Sequence, residues 1–291
     1  MHYLHVDVFT GLPYSGNSLA VFPDAGGLSG DQMQRITQEL RHFESIFLTP
    51  DETPESSTWQ ARVFDLFEEL DFAGHPVIGA ACVLHALHGV GERETWTLRL
   101  KARTVEVSTE QRGPGRYASV LDQGPASFLG RPDPADAKDL AAWFGLDAAD
   151  LNPDLPPEVV STGLRYLVLP VRQGALARAR IGADITGRLA ALGAQFAYLL
   201  DATALEARHW NNDGLTEDVA TGSGAGCAAA YLRRHGRIGD GEAVTLHQGR
   251  FTGRPSEMTI SAHGHGEDIH SVRVGGEAAL VGEGRLQVLP R

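Results

Sequence analysis

Two stretches of this chain share one design, and together they limit its fold more than any other feature. Glu217-Asp218-Val219-Ala220-Thr221-Gly222-Ser223-Gly224-Ala225-Gly226 runs from an acidic pair through small residues into Cys227-Ala228-Ala229-Ala230-Tyr231-Leu232. Phe72-Ala73-Gly74-His75-Pro76-Val77-Ile78-Gly79-Ala80-Ala81 repeats the arrangement about 146 residues earlier. Each reads as a glycine-rich turn that opens an apolar helix, with Pro76 suited to a first helical turn. Small residues let a backbone approach a ligand closely, and unpaired N–H groups at a helix start favour an anion, most simply a carboxylate. Gly79 matches Gly226 at one offset and the turns match at another, so the register of the duplication is open by one residue. A duplicated unit predicts two similar lobes.

The rest of the chain reads as many strands around those two helices. His2 to Phe9 alternates as a strand, and Ser18 to Phe22 extends after a turn at Gly11 to Asn17. A helix begins near Asp31, with Ser29 or Asp31 as its cap, and a strand follows over Ser45 to Leu48. Asp51 to Ser57 is a polar loop. Strands are expected at Trp59–Phe67, Thr95–Leu100, Thr104–Ser108 and Tyr117–Leu121. The Gly-Pro punctuation from Asp122 to Arg131 marks a crossover, which places the first lobe at 1–122 plus about 278–291 and the second at 123–277. In the second lobe, Asp184 to Leu192 reads as a helix, and Phe196–Leu200 and Ala204–Trp210 as strands. The C-terminal part reads as separate strands at Ile269–Val274, Ala278–Gly282 and Gly284–Leu289. This spacing does not fit a βαβαβ alternation, so the fold class is α+β.

Charge and composition narrow the function. With 291 residues, a net charge of −12 and lysine only at Lys101 and Lys138, no basic cluster exists to neutralise phosphates, so a nucleic-acid partner is not expected. No apolar run reaches membrane-spanning length, and the N-terminus lacks the features of a signal peptide. Two cysteines, Cys82 and Cys227, make no disulfide framework and fit a reducing cytoplasm. Both lie in small-residue helices and read as packing groups.

Three side chains stand out as proton carriers. Glu44, flanked by Phe43 and Ile46-Phe47 at a helix–strand junction, should be partly desolvated, which raises a carboxyl pKa and suits acid/base work. His75 at a helix start is biased toward neutrality by the dipole. Asp218 stands at the mouth of the second turn. Each also has a plain structural reading, as a solvated acid, a capping histidine and a turn residue. His263, His265 and His270 could face one strand, but no cysteine or acid cluster supports metal ligation there. No G-x-S-x-G elbow, P-loop or dinucleotide fingerprint is present.

Read together, Val6-Asp7-Val8-Phe9-Thr10, Ser15-Gly16-Asn17-Ser18-Leu19-Ala20-Val21, Glu44-Ser45-Ile46-Phe47-Leu48, Glu69 with the His75 turn, Ser161-Thr162-Gly163-Leu164, the Asp218 turn and Gln248-Gly249-Arg250-Phe251-Thr252-Gly253-Arg254-Pro255 resemble the PhzF-like phenazine-biosynthesis family. The resemblance covers nearly the whole chain. It implies the diaminopimelate epimerase-type fold: two pseudo-symmetric lobes, each a curved, mostly antiparallel sheet or open barrel around a central helix, with the site in the cleft between. It further implies cofactor-independent chemistry on a small-molecule carboxylate and a homodimer. Carried over residue by residue, it assigns catalysis to Glu44, His75 and Asp218. Substrate binding falls to Asn17, Ser18, Gly74, Thr221, Gly222 and Ser223.

The epimerases and racemases of that fold place a cysteine before each glycine turn, and those places look like Ala73 and Val219 here. Two-thiol racemisation is therefore not expected. Arg41-His42-Phe43, Asp65-Leu66 and Val219 depart from the family pattern and bear on the substrate more than on the reaction. The reading is an isomerase in which Glu44 moves a proton on an unsaturated or cyclic carboxylic acid, within specialised-metabolite biosynthesis by analogy. The alternatives are an epimerase using Glu44 and Asp218, or a relative that only binds a metabolite.

Overall fold

A computed structural model describes residues 1–51 and 56–291; residues 52–55, within the polar loop read over Asp51–Ser57, lie outside the described residues. The chain divides into two compact units, Met1–Asp122 with Gly275–Arg291, and Gln123–Val274.

The first unit contains β1 (His2–Val8), β2 (Asn17–Phe22), α1 (Gly30–Leu40), β3 (Glu44–Pro50), β4 (Thr58–Asp65), β5 (Glu69–Leu70), α2 (Gly74–His88), β6 (Arg93–Arg99), β7 (Thr104–Gly113) and β8 (Arg116–Asp122). The second contains β9 (Ser127–Gly130), α3 (Ala137–Trp143), β10 (Glu158–Ser161), β11 (Arg165–Pro170), α4 (Thr186–Ala191), β12 (Phe196–Asp201), β13 (Glu206–Trp210), β14 (Glu217–Asp218), α5 (Gly222–Arg234), β15 (Val244–Gln248) and β16 (Ser256–His265). A last strand, β17 (Asp268–Arg285), carries the chain from the second unit into the first.

The pairing repeats. β1 runs antiparallel to β2, β2 parallel to β3, β3 antiparallel to β4, β4 parallel to β6, and β6 antiparallel to β7. β10, β11, β12, β13, β15 and β16 take the same senses in the same order. β7 also pairs with β8, β8 with β17 and β17 with β1, so eight strands close a ring in the first unit, a closed form of the curved sheet or open barrel that the resemblance implied. α2 packs against β1, β2, β3, β6, β7 and β8, and α5 against β10, β11, β12 and β16. Hence each apolar helix is enclosed by strands of its own unit, and α2 is buried from Gly74 to His85.

On the other face of the first sheet, Ala20, Phe22, Phe47 and Phe64 pack with Met33 and Ile36 of α1. α1 starts at Ser29, whose hydroxyl accepts from the Gln32 N–H while the Gln32 side chain accepts from the Ser29 N–H.

The register of the duplication is visible at β4–β5 and β13–β14. Phe64 opposes Glu69, and Trp210 opposes Glu217. Four residues, 65–68, separate the first pair, and six, 211–216, separate the second. The offset between the halves therefore changes by two residues inside this connection, which is why no single offset aligns both the strands and the turns. The helix caps that correspond are Ala73 and Thr221, so Thr221 rather than Val219 is the equivalent of Ala73 in the repeat.

Candidate active site

In the first unit the polar centre is Glu44 with His75. α1 ends at Arg41, a left-handed cap (φ 56°) whose N–H donates to the Thr37 carbonyl, and the chain turns at once into β3. Glu44 is the first residue of that strand and sits opposite Leu19 of β2. Side chains alternate along a strand. Phe47 lies on the α1 face, and a Cβ on Gly79 of α2 would meet Leu19 and Val8, so Leu19 and Glu44 belong to the α2 face.

His75 is the second residue of α2. Its Nδ1 lies 3.3 Å from Glu44 Oε2. Burial pushes the His75 imidazole down to about 3, so it is neutral at physiological pH and the contact is not an ion pair. A nearby carboxylate favours the charged form, but full desolvation at a helix N-terminus wins. His75 Nε2 is buried and makes no hydrogen bond among the described residues. No side chain caps α2 at Ala73, and Pro76 has no N–H, so the Gly74 and His75 N–H groups are the ones that turn offers. Asn17 is buried at the start of β2, opposite Val8, and by alternation shares the α2 face.

Ser18 is placed differently. It follows Asn17, so its side chain lies on the α1 face, where its hydroxyl bonds His5 Nε2 at 2.9 Å and His42 Nδ1 at 3.0 Å. The His5 and His42 rings meet edge to face at 4.7 Å. Burial, then the neighbouring His5, pushes His42 down to about 4. The structure thus brings Glu44, His75 and Gly74 together and sets the Ser18 side chain on the opposite face of the sheet.

In the second unit the polar centre is Asp218. β14 is a two-residue strand that holds Asp218 opposite His209. The Thr221 hydroxyl donates to Asp218 Oδ2 at 2.6 Å. Gln248 at the end of β15 donates from Nε2 to the Asp218 carbonyl and the Thr221 hydroxyl, and accepts at Oε1 from the Thr221 N–H and the Tyr198 hydroxyl. Ser223, in the first turn of α5, exchanges a hydrogen bond with Tyr166 at 2.8 Å. Gly222 opens α5 with no side-chain cap at Thr221.

Burial, and then the Asp218 charge, pushes the Tyr198 phenol well up. Burial pushes His209 down, against the opposing pull of Asp218, and its Nδ1 donates to the Ala197 carbonyl. Gly224 is required here: a Cβ would stand 2.6 Å from the Tyr198 ring.

Tyr198 and His209 are polar groups that the sequence reading did not single out, and Gln248 entered it only as the first residue of the Gln248–Pro255 motif, with no role assigned. Tyr198 and His209 look like ordinary strand residues. Gln248 had a local signal in Gly249, which adopts φ 82° and whose Cβ would collide with the Arg254 and Val219 carbonyls. That glycine lets the end of β15 approach the strand carrying Asp218. The two thiols take no part: burial pushes Cys82 and Cys227 up to about 12. His263 and His270 stand with ring centres 6.4 Å apart, and among the described residues no three His, Cys, Asp or Glu side chains are grouped to hold a metal. Among the described residues no helix is long and apolar enough to cross a membrane.

The family profile described as phenazine biosynthesis-like protein (PhzC-PhzF) matches residues 6–284. The trans-2,3-dihydro-3-hydroxyanthranilate isomerase of Pseudomonas aeruginosa is 32% identical over 300 residues, covering 98% of this chain and 99% of the relative. A solved structure described as a predicted epimerase from the same organism is 46% identical, with a TM-score of 0.91 and 99% of both chains covered. A PhzF-family structure from Bacillus anthracis is 21% identical at a TM-score of 0.83, again over 99% of both chains, and is similar in fold.

Proposed function

The chain belongs to the phenazine biosynthesis-like (PhzC-PhzF) family and is an isomerase, and from that premise we propose that it shifts a proton along a small unsaturated or cyclic carboxylic acid, with Glu44 as the general acid/base. The observation that carries this reading is the contact between Glu44 and the buried, neutral His75 at the start of α2. With Nδ1 of the neutral His75 ring 3.3 Å from Glu44 Oε2, the buried Nε2 is the ring atom left to meet a substrate group.

In the first step the Glu44 carboxylate takes a proton from a carbon next to an unsaturated or carbonyl group. The C–H electron pair delocalises into that system. In the second step the Glu44 carboxylic acid returns the proton to another carbon of the system, and the double bond moves. No electrons leave the substrate, so the residues present balance the reaction without a cofactor. N–H groups at the first turn of α2 stabilise negative charge as it develops. Within the second unit, Asp218 serves as a fixed acceptor and the start of α5 as a cradle for an anionic group.

The test is deuterium uptake in D2O, read by NMR, with purified protein and Glu44→Gln, over a panel of small unsaturated and cyclic carboxylic acids. The compound named in the Pseudomonas aeruginosa relative, trans-2,3-dihydro-3-hydroxyanthranilate, heads the panel. Wild-type exchange with double-bond migration, reduced at least about 100-fold in Glu44→Gln, is the expected result. Exchange that survives in the variant removes Glu44 from the role. Exchange with inversion at one carbon and no migration makes the protein an epimerase instead.

A further inference from the structure

We propose that Gln248 is a positioning residue that, through the Thr221 hydroxyl, holds Asp218 as a hydrogen-bond acceptor and therefore as an anion. The inference concerns the Asp218 group and rests on the reading above only in giving that group a part in catalysis.

The orientation of the Gln248 amide follows from two backbone groups. The Thr221 N–H can only donate, and it points at one end of the amide at 3.2 Å. The Asp218 carbonyl can only accept, and it faces the other end at 2.9 Å. The first end is therefore Oε1 and the second Nε2. Nε2 then spends its second proton on the Thr221 hydroxyl oxygen at 3.0 Å, and Oε1 takes its second donor from the Tyr198 hydroxyl at 2.8 Å. All four bonds of the amide are made, and Gln248 is 1% exposed.

The Thr221 hydroxyl oxygen accepts from Gln248, and the acceptor that its own proton meets is Asp218 Oδ2, 2.6 Å away. That length falls in the range of about 2.5–2.7 Å for a hydroxyl bonded to a carboxylate. A donor fixed toward an oxygen favours the ionised carboxyl. A protonated Oδ2 donating to the second lone pair of the Thr221 oxygen would take away the acceptor that the Thr221 proton now has.

The groups around Asp218 agree. From β13 comes His209, neutral by burial, with Nδ1 as its donor to Ala197. From β12 comes Tyr198, whose hydroxyl is committed to Gln248. From β11 and α5 come Tyr166 and Ser223, bonded to each other. Glu217, the neighbour in β14, is neutralised by Arg208 through two hydrogen bonds of 2.8 and 2.6 Å. His209 is neutral, and none of these groups is acid enough to protonate Asp218 at neutral pH. Asp218 is thereby fitted to accept a hydrogen bond or face a cation, and not to act as the acid.

The experiment is a pH titration of the Asp218 carboxyl by carbon-13 NMR in protein labelled at aspartate, with Asp218→Asn identifying the signal. In wild-type protein the signal is expected to stay at its ionised position below the midpoint of exposed aspartates. Thr221→Val, which keeps the backbone bond to Gln248 and the side-chain shape, should raise the Asp218 midpoint by about one pH unit or more. Thr221→Ser should restore it.

Gln248→Met should raise the midpoint as Thr221→Val does. If it does not fold, the wild-type Gln248 side-chain amide signal decides: it should move with the Asp218 midpoint and lose that dependence in Thr221→Val. An unmoved midpoint in Thr221→Val, or an amide signal blind to the titration, overturns the proposal. The titration needs no turnover, so a failed isomerase assay leaves it intact, and a fully active Asp218→Asn protein strikes the catalytic role of Asp218 alone.

Discussion

At the scale of single residues, the neutral state of His75 has a consequence for stability. Its folded pKa, about 3, lies below the ordinary value of 6.5, so the unfolded chain binds a proton near pH 6.5 that the folded chain does not take up until far lower pH. Stability is therefore complete above pH 6.5 and declines as pH falls through the window from 6.5 toward 3, by about 1.4 kcal/mol per pH unit for this one group. His42, pushed down to about 4, adds to the same trend. Denaturant unfolding at pH 7.5 and 5.5 checks the sign. Wild-type protein should lose stability on acidification, and His75→Asn should lose about one proton's worth less of it. A histidine held charged by Glu44 would give the opposite slope, with wild-type gaining relative to the variant as pH falls.

At the scale of elements, β17 separates what the sequence made legible from what it hid. The sequence reads as three strands there because Gly275 and Gly276 interrupt the apolar pattern, yet one strand runs from Asp268 to Arg285. Gly275 has a different purpose: a Cβ at this position would stand 2.3 Å from the Ser119 carbonyl of β8. The glycine permits close approach of two strands, and local pattern cannot distinguish that from a break. Gly275→Ala should therefore cost about 2 kcal/mol or more, because backbone has to move. Gly282→Ala in the same strand meets nothing within 4 Å and should be neutral or gain up to about 1 kcal/mol. Paired denaturant curves measure both, and equal losses would refute the steric account.

Where the signal was local, the elements were readable. The Ser29 cap of α1, the Gly74 and Gly222 helix starts and the β1 alternation all match the structure. The α+β class was legible from the same signals. What escaped were features set by distant partners: the closing of the ring by β17, the short β9, and the Tyr198–Gln248–Thr221 chain.

At the scale of the whole molecule, the two units repeat one topology but divide the chemistry unequally. The repeat extends to an ion pair. Arg62 of β4 grips Glu69 of β5 with two hydrogen bonds of 2.7 Å and stacks near Phe64, two residues on. Arg208 of β13 grips Glu217 of β14 in the same way and stacks on Trp210, also two residues on.

Burial makes these equivalent forks unequal. The Arg62 and Glu69 side chains are 39% and 24% exposed, while Arg208 and Glu217 are 9% and 13% exposed. Arg208 also donates to the Leu176 and Ala179 carbonyls. An exposed pair contributes about 1 kcal/mol at most, whereas removing one partner of a buried pair costs about 3–5 kcal/mol, because the other charge and the abandoned carbonyls lose their compensation.

Arg62→Met should therefore shift the unfolding free energy by no more than about 1 kcal/mol, and Arg208→Met by several times that. Adding Glu217→Leu to Arg208→Met should recover part of the loss, since two apolar groups need no partner. Equal effects of the two arginine variants would mean that the forks stabilise through their shared geometry. Unequal effects place the difference in desolvation, and so explain how one duplicated element is a surface tie in the first unit and a buried anchor beside Asp218 in the second.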